Sequence, residues 1–303
     1  MPVITRSTLP DLNQVGIHAI FGDTYNEYPP EWSQIFEEEE STKGFEDLVQ
    51  VNGFGLVPLK PEGSPIQYDT DGQGPKTRLE HRTYGLGFQV TRESDEDGQY
   101  QQVTRRRTKK LARSFRTTAE IVHANVLNFG FSGARLGGDG VPLFSTAHPA
   151  AGGSTYANKL AVDADLTEAS LEDMLTLIET AKDNRGLPIK LRGMKLVVAP
   201  GAQYNAARIM DSPLRSGVDT NDINAVKQMG LLPGGVVVDH YLTDPDAWYI
   251  KTDVDEGLVS MWRRKPEITR DNEFDTENMR QKATMRFLCG WGDPRAIYGS
   301  QGA

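Results

Sequence analysis

The sequence predicts an α+β fold, and three features of its 303 residues carry that prediction. A long amphipathic helix is predicted at about 101–129, long strand-like runs occur in 257–300, and strands alternate with short helices in 188–253. No segment repeats at the roughly 20- to 50-residue periods of solenoid proteins. The length allows about two domains or one large one.

The composition is that of an ordinary soluble globular protein, with 38% hydrophobic and 25% charged residues. No run of about 18 apolar residues is present, so no membrane span is predicted. Residues 1–12 lack the apolar core of a secretory signal, which favours a cytosolic product. The single cysteine, Cys289, excludes an internal disulfide framework. The net charge of −9 argues against a dedicated nucleic-acid binder, whose affinity depends on many cationic contacts to phosphate.

Residues 1–52 are predicted to form an extended arm. Short apolar clusters at 15–21 and 32–36 are too far apart to build a core, so this segment needs another surface to lie on. The stretch from Asp23 to Asp47 contains nine acidic residues and one lysine. Such a block is typical of a solvated segment, and the alternative is that it meets a basic block across a subunit boundary.

Residues 53–100 are rich in glycine and proline and are predicted to form a two-stranded ribbon. Its strands are expected at 65–70 and 76–92, on either side of the turn sequence DTDGQGPK. Gly85 and Gly87 weaken the second strand, and an isolated two-stranded ribbon is only marginally stable in water. The ribbon is therefore expected to reach outward and to be stabilised by neighbouring molecules.

The helix at 101–129 has an apolar face and a basic face. Apolar residues recur at spacings of three and four on an arc of about 80°; they are Leu111, Phe115, Ala119, Val122, Val126 and Phe129. The opposite face, called here the basic face, carries six cations: Arg105, Arg106, Lys109, Lys110, Arg113 and Arg116. Gly130 is in position to end the helix.

A second helix is predicted at 168–185, because Thr167 can cap its start and Gly186 and Pro188 can close it. Acidic residues lie in its first turn and basic residues near its end, as the helix dipole favours.

A compact lobe of strands and helices is predicted to follow at 188–253. The buried strand MKLVVAP precedes helices at about 202–210 and 221–229, the second of which is capped by Asn221 and ended by Gly230. The sequences GGVVVDHYL and AWYIKTD then predict two strands around the turn DPD.

Five stretches of the chain resemble one known family. The region from His81 to Pro149 contains HRTYGLGFQVTRESDEDGQY, VLNFGFSGA and DGVPLFSTAHP, and the carboxy end contains WRRKPEITRDNEF and MRFLCGWGDPRAIYGS. In this order and at this spacing they resemble segments of the major capsid proteins of tailed bacteriophages, which have the HK97-like fold, including the Mu-type head subunit. The resemblance covers most of the chain after the arm.

The resemblance implies a structural protein with no catalytic residue, cofactor or metal. Such subunits form hexamers and pentamers that close into an icosahedral head around double-stranded DNA, assembled in the bacterial cytoplasm and present in the virion. The implied partners are further copies of the chain, a separate scaffolding protein, a portal, a decoration protein and DNA bound without sequence specificity, and no membrane. The implied domains are an amino-terminal arm at 1–52, an extended β-hairpin loop at 53–100, a peripheral domain at 101–187 and 254–303 with a spine helix at about 101–129, and an axial domain inserted at 188–253.

The sequence leaves three roles open for the basic face: a solvated surface, a contact for packaged DNA, or a contact for the acidic arm of another subunit. The arm is favoured, because charges paired in a network contribute more than isolated surface pairs. The expected acidic partners are the consecutive residues Glu37, Glu38, Glu39 and Glu40.

Enzymatic chemistry is not predicted at any of three candidate sites. Ser145, His148 and Asp139 are close in sequence, but no GxSxG elbow surrounds the serine, so His148 is expected to hydrogen-bond locally within a loop. His123 is expected at the edge of the core. Cys289 is expected to be a small buried residue. A hydrolase that uses Ser145 and His148 remains the remote alternative.

Metal and nucleotide sites are not predicted either. None of the histidines has the spacing of HExxH, and the run Glu37–Glu40 lacks the alternating spacing of a calcium loop. No phosphate-binding glycine loop occurs. The nearest alternative function is the shell of an encapsulin-type nanocompartment, which shares the implied fold but encloses a protein cargo.

Overall fold

The computed structural model describes residues 10–91, 100–214, 223–255, 257–272 and 278–303. The α-helices in these ranges are α1 (Pro10–Tyr25), α2 (Tyr100–Asn128), α3 (Glu168–Glu179), α4 (Gln203–Asp211) and α5 (Ala225–Met229). The strands are β1 (Glu37–Glu40), β2 (Phe45–Val51), β3 (Gln73–Glu80), β4 (Arg82–Val90), β5 (His148–Pro149), β6 (Thr155–Tyr156), β7 (Gly193–Val198), β8 (Val236–Val238), β9 (Trp248–Thr252), β10 (Leu258–Asn272), β11 (Met279–Trp291) and β12 (Ile297–Ser300).

Helix α2, the spine helix, lies close to its predicted position and carries the larger core. Leu111 and Phe115 of its apolar face are buried. Phe129 differs from the prediction: it follows the last helical residue and is 50% exposed. The chain then turns tightly at Gly130, where a Cβ atom would lie 2.5 Å from the ring of Phe144. A glycine is therefore required where the helix ends.

A four-stranded sheet in the order β1-β10-β11-β4 packs against the spine helix. Strand β1 runs parallel to β10, and the other pairs are antiparallel. Met285 and Phe287 of β11 share the core with the apolar face of α2. The β10–β11 register shifts between Arg264 and Glu267, around Pro266, whose missing N–H interrupts a ladder.

The arm is folded onto its own subunit, which the sequence-based prediction did not anticipate. Helix α1 packs along α2, and the rings of Phe21 and Phe115 meet edge to face with centroids 6.1 Å apart. Trp32, Ile35 and Phe36 are buried in the same core. The two apolar clusters are too sparse to make a core alone, but they complete the core that the spine helix begins.

The ribbon pairs differently from the prediction. Strand β3 pairs with β2, which lies within the predicted arm, and β4 instead joins the four-stranded sheet. The segment 65–70 is not a strand: its Ile66 and Tyr68 side chains are exposed, so no surface of the described subunit supports it. Leu48 and Leu79 of the ribbon pack on Val259, Met261 and Leu288, so the ribbon lies on its own sheet.

The lobe is built on a second sheet in the order β12-β9-β7-β8. Strands β7 and β8 are parallel, and β9 is antiparallel to both β7 and β12. Leu171 and Met174 of α3 share a core with Leu196 and Ile250 of this sheet. The lobe therefore draws α3 and β12 from outside the predicted range 188–253.

Helix α3 has the predicted start and a different end. The Thr167 hydroxyl accepts a hydrogen bond from Ser170 N at 3.1 Å, which confirms the predicted cap. The helix stops at Glu179 and not at 185, because the Asp183 carboxylate accepts from the backbone N–H groups of Arg185 and Leu187, each at 2.8 Å. A local side-chain acceptor of this kind competes with helical hydrogen bonds.

Helix α5 is shorter than predicted and has a different cap. The Asn224 side chain accepts from Lys227 N at 3.2 Å and takes the role that was assigned to Asn221, which lies outside the described residues. Gly230 ends the helix with a φ of 61°, as predicted. The Asn224 amide also donates to the carbonyl of Ser212 at 3.1 Å, so the cap ties α5 to the end of α4.

Candidate functional surfaces

The arm covers the carboxy-terminal half of the basic face within the same subunit. Arg113 Nη2 lies 3.2 Å from Glu27 Oε2, and Arg116 Nη2 donates to the carbonyl of Tyr28 at 3.0 Å. Arg116 Nε also lies 3.2 Å from Glu120 Oε1, one turn further along the helix. These two cations serve to hold the arm of their own chain.

The amino-terminal half of the basic face is open. Its cations are exposed, and within the described part of the chain none has an ion-pair partner: Arg105, Arg106, Lys109 and Lys110. Arg107, which the helical count places off the basic face, instead donates to the carbonyl of Gln89 at 2.9 Å. Four adjacent unpaired cations on a rigid helix form a surface suited to an anionic partner.

The acidic run forms β1 and is not on the basic face of its own subunit. Glu38 Oε1 lies 3.0 Å from Lys265 Nζ, and Glu37 Oε1 lies 3.8 Å from Lys251 Nζ. Glu39 and Glu40 are exposed and have no ion-pair partner among the described residues. The proposed pairing with the basic face of another subunit therefore stays a prediction, and these last two glutamates are the ones free to make it.

Glu120 anchors the arm and was missed by the sequence analysis. Its buried carboxylate accepts the backbone N–H groups of Trp32 and Glu31, both at 3.2 Å, at the start of the short 3₁₀-helix Trp32–Gln34. Burial raises the pKa of this carboxyl, and the arm's N–H groups and Arg116 oppose that shift. Glu120 is the sole acidic residue in the sequence of α2, and that isolation is the signal that could have identified it.

His123 lies inside the core and not at its edge. Its ring stacks between Trp32 and Phe287, with centroid distances of 4.5 and 5.2 Å. Nδ1 lies 2.7 Å from the carbonyl of Ala119, so it carries the proton, and Nε2 accepts from the Ser260 hydroxyl at 2.8 Å. Burial lowers the pKa of His123 to about 4. A neutral, fully engaged imidazole has a structural role.

His148 hydrogen-bonds locally, as predicted, and is unavailable to Ser145. Its Nδ1 lies 2.6 Å from Asp139 Oδ2, and its Nε2 lies 3.1 Å from Asn158 Oδ1. The Ser145 hydroxyl accepts instead from Ala147 N at 3.1 Å. Because both ring nitrogens are occupied, the arrangement lacks the base–nucleophile contact that a serine hydrolase requires.

Cys289 is buried, and burial raises the pKa of its thiol to about 11. This protonated sulfur is not a nucleophile at neutral pH. Among the described residues no group of histidine, cysteine and carboxylate side chains could hold a metal ion. The helices of the same ranges include none that is long and apolar enough to cross a membrane.

Between β2 and β3 lies a segment with unusual exposure, called here the apolar loop (residues 52–72). Its large apolar side chains point into solvent; Leu56, Val57, Leu59 and Tyr68 are between 82% and 96% exposed. Phe54 and Ile66 are also exposed. Contiguous exposed apolar groups mark a surface for another molecule.

A family of phage capsid proteins matches residues 76–300. The chain belongs to this family. No curated protein sequence matches it. Because phage capsid proteins are structural, the match confirms the predicted structural function and the absence of an enzymatic one, and it favours a phage capsid over an encapsulin-type shell.

Solved structures confirm the HK97-like α+β fold of this capsid protein. The procapsid of bacteriophage JBD30 matches with 16% identity and a TM-score of 0.55, over 98% of this chain and 76% of that one. The capsid of an empty GTA particle matches with 11% identity and a TM-score of 0.57, over 90% of each chain. A virus-like particle from Pyrococcus furiosus matches with 10% identity and a TM-score of 0.52, over 94% and 97%. The likeness to the Mu-type subunit stays a prediction.

Proposed function

We propose that this capsid protein assembles as hexamers and pentamers into a closed icosahedral shell around double-stranded DNA. The observation that carries the proposal is the apolar loop, because it exposes several large side chains that its own subunit leaves uncovered. Burying a leucine- or valine-sized side chain contributes roughly 1.5–3 kcal/mol. A second subunit is the natural cover, since every copy then gives one loop and receives another, and such heterologous contacts close into rings.

The open half of the basic face supplies the second contact of the proposal. Its four unpaired cations, residues 105, 106, 109 and 110, suit either the free glutamates Glu39 and Glu40 of another subunit or the phosphates of packaged DNA. The glutamates are favoured, because a shell with a net charge of −9 per subunit holds DNA without binding it tightly. A separate scaffolding protein, a portal and a decoration protein complete the proposed set of partners.

The proposal is tested by electron microscopy of the purified protein, with and without a co-expressed scaffolding candidate. Closed particles with hexameric and pentameric facets are the expected result. Only small monodisperse species, under both conditions and across salt concentration and pH, would contradict it. Nuclease-protected double-stranded DNA in particles from infected cells, in place of a protein cargo, separates the phage head from the nanocompartment.

A further inference from the structure

Within the described part of the chain, the apolar loop is tied to its subunit only near its base. Asn52 N donates to Gly72 O at 3.0 Å, and Gly55 N donates to Asp69 Oδ2 at 2.8 Å. Beyond these bonds, the described structure has no strand ladder across the loop and no ion pair from residues 56–68 to the body. The direction of the loop is therefore set where it leaves the body.

One ion pair from the body reaches this base. Arg185 Nη1 lies 2.5 Å from Asp69 Oδ2, and Nη2 of the same guanidinium donates to the carbonyl of Thr70. The planar guanidinium thus holds a side chain and a backbone group of the loop at once, which fixes orientation better than a single point charge does. The Gly55 and Thr70 N–H groups, and to a smaller extent the Arg185 guanidinium, lower the pKa of Asp69, so its carboxylate is charged at neutral pH.

The turn that presents Arg185 is itself held rigidly. The Asp183 carboxylate fixes the backbone at Arg185, as described above. The neighbouring Asn184 donates to Asn52 Oδ1 at 3.1 Å and accepts from Arg295 Nη2 at 2.7 Å. The guanidinium therefore extends from a fixed support in the body to a loop that has few other restraints.

We infer that Arg185 and Asp69 are positioning residues for assembly: their ion pair sets the direction in which the apolar loop leaves its own subunit, so that a second copy meets it preordered. This inference rests on the proposed assembly function. An exposed ion pair contributes little to folding. Here it restricts the direction of a long exposed loop. Conformational freedom that the loop has already lost in the free subunit does not have to be lost upon association.

The test compares Asp69→Asn, Arg185→Gln and the double variant with two matched controls, Asp71→Asn and Arg192→Gln. The controls remove the same charges from exposed side chains that lack ion-pair partners among the described residues. We expect each test variant to need an about three- to fivefold higher concentration for assembly, with the double variant no worse than either single one. Thermal unfolding of the free subunit should be unchanged, which separates positioning from folding.

A second readout applies to the unassembled subunit. Amide hydrogen exchange at Gly55 and Thr70 is expected to be faster in Arg185→Gln than in the wild type and in Arg192→Gln. Equal exchange, or assembly of the test variants at the concentration of the controls, overturns the inference and leaves the shell intact as a proposal. A wild type that never forms shells refutes the proposed function. The exchange rates then still show whether the Arg185–Asp69 ion pair orders the base of the loop.

Discussion

The imidazole of His148 occupies a site in which every neighbouring polar group is fixed. The Asn158 amide nitrogen donates to the carbonyls of Leu143, Pro294 and Ile297 at 2.6–3.2 Å, so the amide oxygen must face His148. Nε2 of the histidine therefore faces an oxygen acceptor at 3.1 Å, and Nδ1 faces the Asp139 carboxylate at 2.6 Å. This buried network joins the loop after the spine helix to the carboxy-terminal strand.

Asn158→Asp tests this network with almost no change in volume. A carboxylate at 158 would face three carbonyl oxygens without a proton to donate, so we expect the free energy of unfolding to fall by about 3 kcal/mol or more. Urea unfolding of the free subunit measures this loss. Ser145→Ala is the control and should cost about 1 kcal/mol or less. Equal stability of the two variants would mean that the amide orientation has been misassigned.

Asp239 makes the stability of the subunit depend on pH. Burial raises the pKa of this carboxyl from 3.8 to about 6, nearby Glu31 adds to the shift, and His240 and the Tyr241 N–H oppose it. The folded state thus keeps the proton to a higher pH than the unfolded chain does. The contribution of Asp239 to the free energy of unfolding is full below about pH 4 and is lost as the pH rises through 6.

Asp239→Asn keeps an acceptor for the Tyr241 N–H, which donates to the carboxylate at 2.8 Å, and removes the charge. We expect the variant to be more stable than the wild type at pH 8, and its advantage to be about 1 kcal/mol smaller at pH 5. Urea unfolding at both pH values measures this difference, with the exposed Asp173→Asn as control. An advantage independent of pH would show that the carboxyl is not the group responsible.

At the scale of elements, a helix or strand could be predicted from the sequence where the residues that define it lie within the segment itself. The spine helix was predicted to within a residue or two because its apolar spacing and its closing glycine lie within the segment itself. The predicted end of α3 was wrong, because the Asp183 carboxylate accepts backbone N–H groups that a longer helix would use in its own hydrogen bonds.

The predicted partner of strand β3 was wrong, because alternation along a strand does not specify its partner. The contacts that join β3 to β2 are long-range: Leu48 and Leu79 pack on β10 and β11. Asp47 also pairs with Lys76 and Arg78.

The open half of the basic face supports a prediction about one element. Replacing its four unpaired cations (105, 106, 109 and 110) by glutamate should leave the unfolding free energy of the subunit within about 0.5 kcal/mol. We expect it to block assembly, because like charges would then face Glu39 and Glu40 of the neighbour. Electron microscopy and sedimentation measure the outcome.

A compensating variant identifies the partner of this face. Co-expression with a subunit carrying Glu39→Lys and Glu40→Lys should restore shells if the glutamates are the partner. Normal shells that package less DNA would instead assign the face to phosphate contacts. Normal shells with normal DNA content would contradict both roles, and the face would then be a solvated surface.

At the scale of the whole molecule, folding and assembly use different parts of the chain. The arm was predicted to depend on another surface, and that surface is the subunit's own spine helix; the prediction lacked Glu120, whose carboxylate holds the arm's backbone. The sites proposed for assembly are the apolar loop and the open cations, and neither contributes to the buried cores. The resemblance predicted the fold as a whole. Side-chain contacts between segments that are distant in sequence could not be predicted and are seen only in the structure.

Trp32 tests whether the arm is part of the folded subunit. Its ring is 5% exposed, stacks on His123 and lies 6.0 Å from Trp262 between centroids. Trp32→Ala should therefore lower the unfolding free energy of the unassembled subunit by about 3–5 kcal/mol. Tyr28→Ala, four residues earlier in the same arm and 71% exposed, should change it by less than about 0.5 kcal/mol. If the tryptophan variant unfolded like the tyrosine variant when free, and lost stability only in shells, the arm would be held by neighbouring subunits.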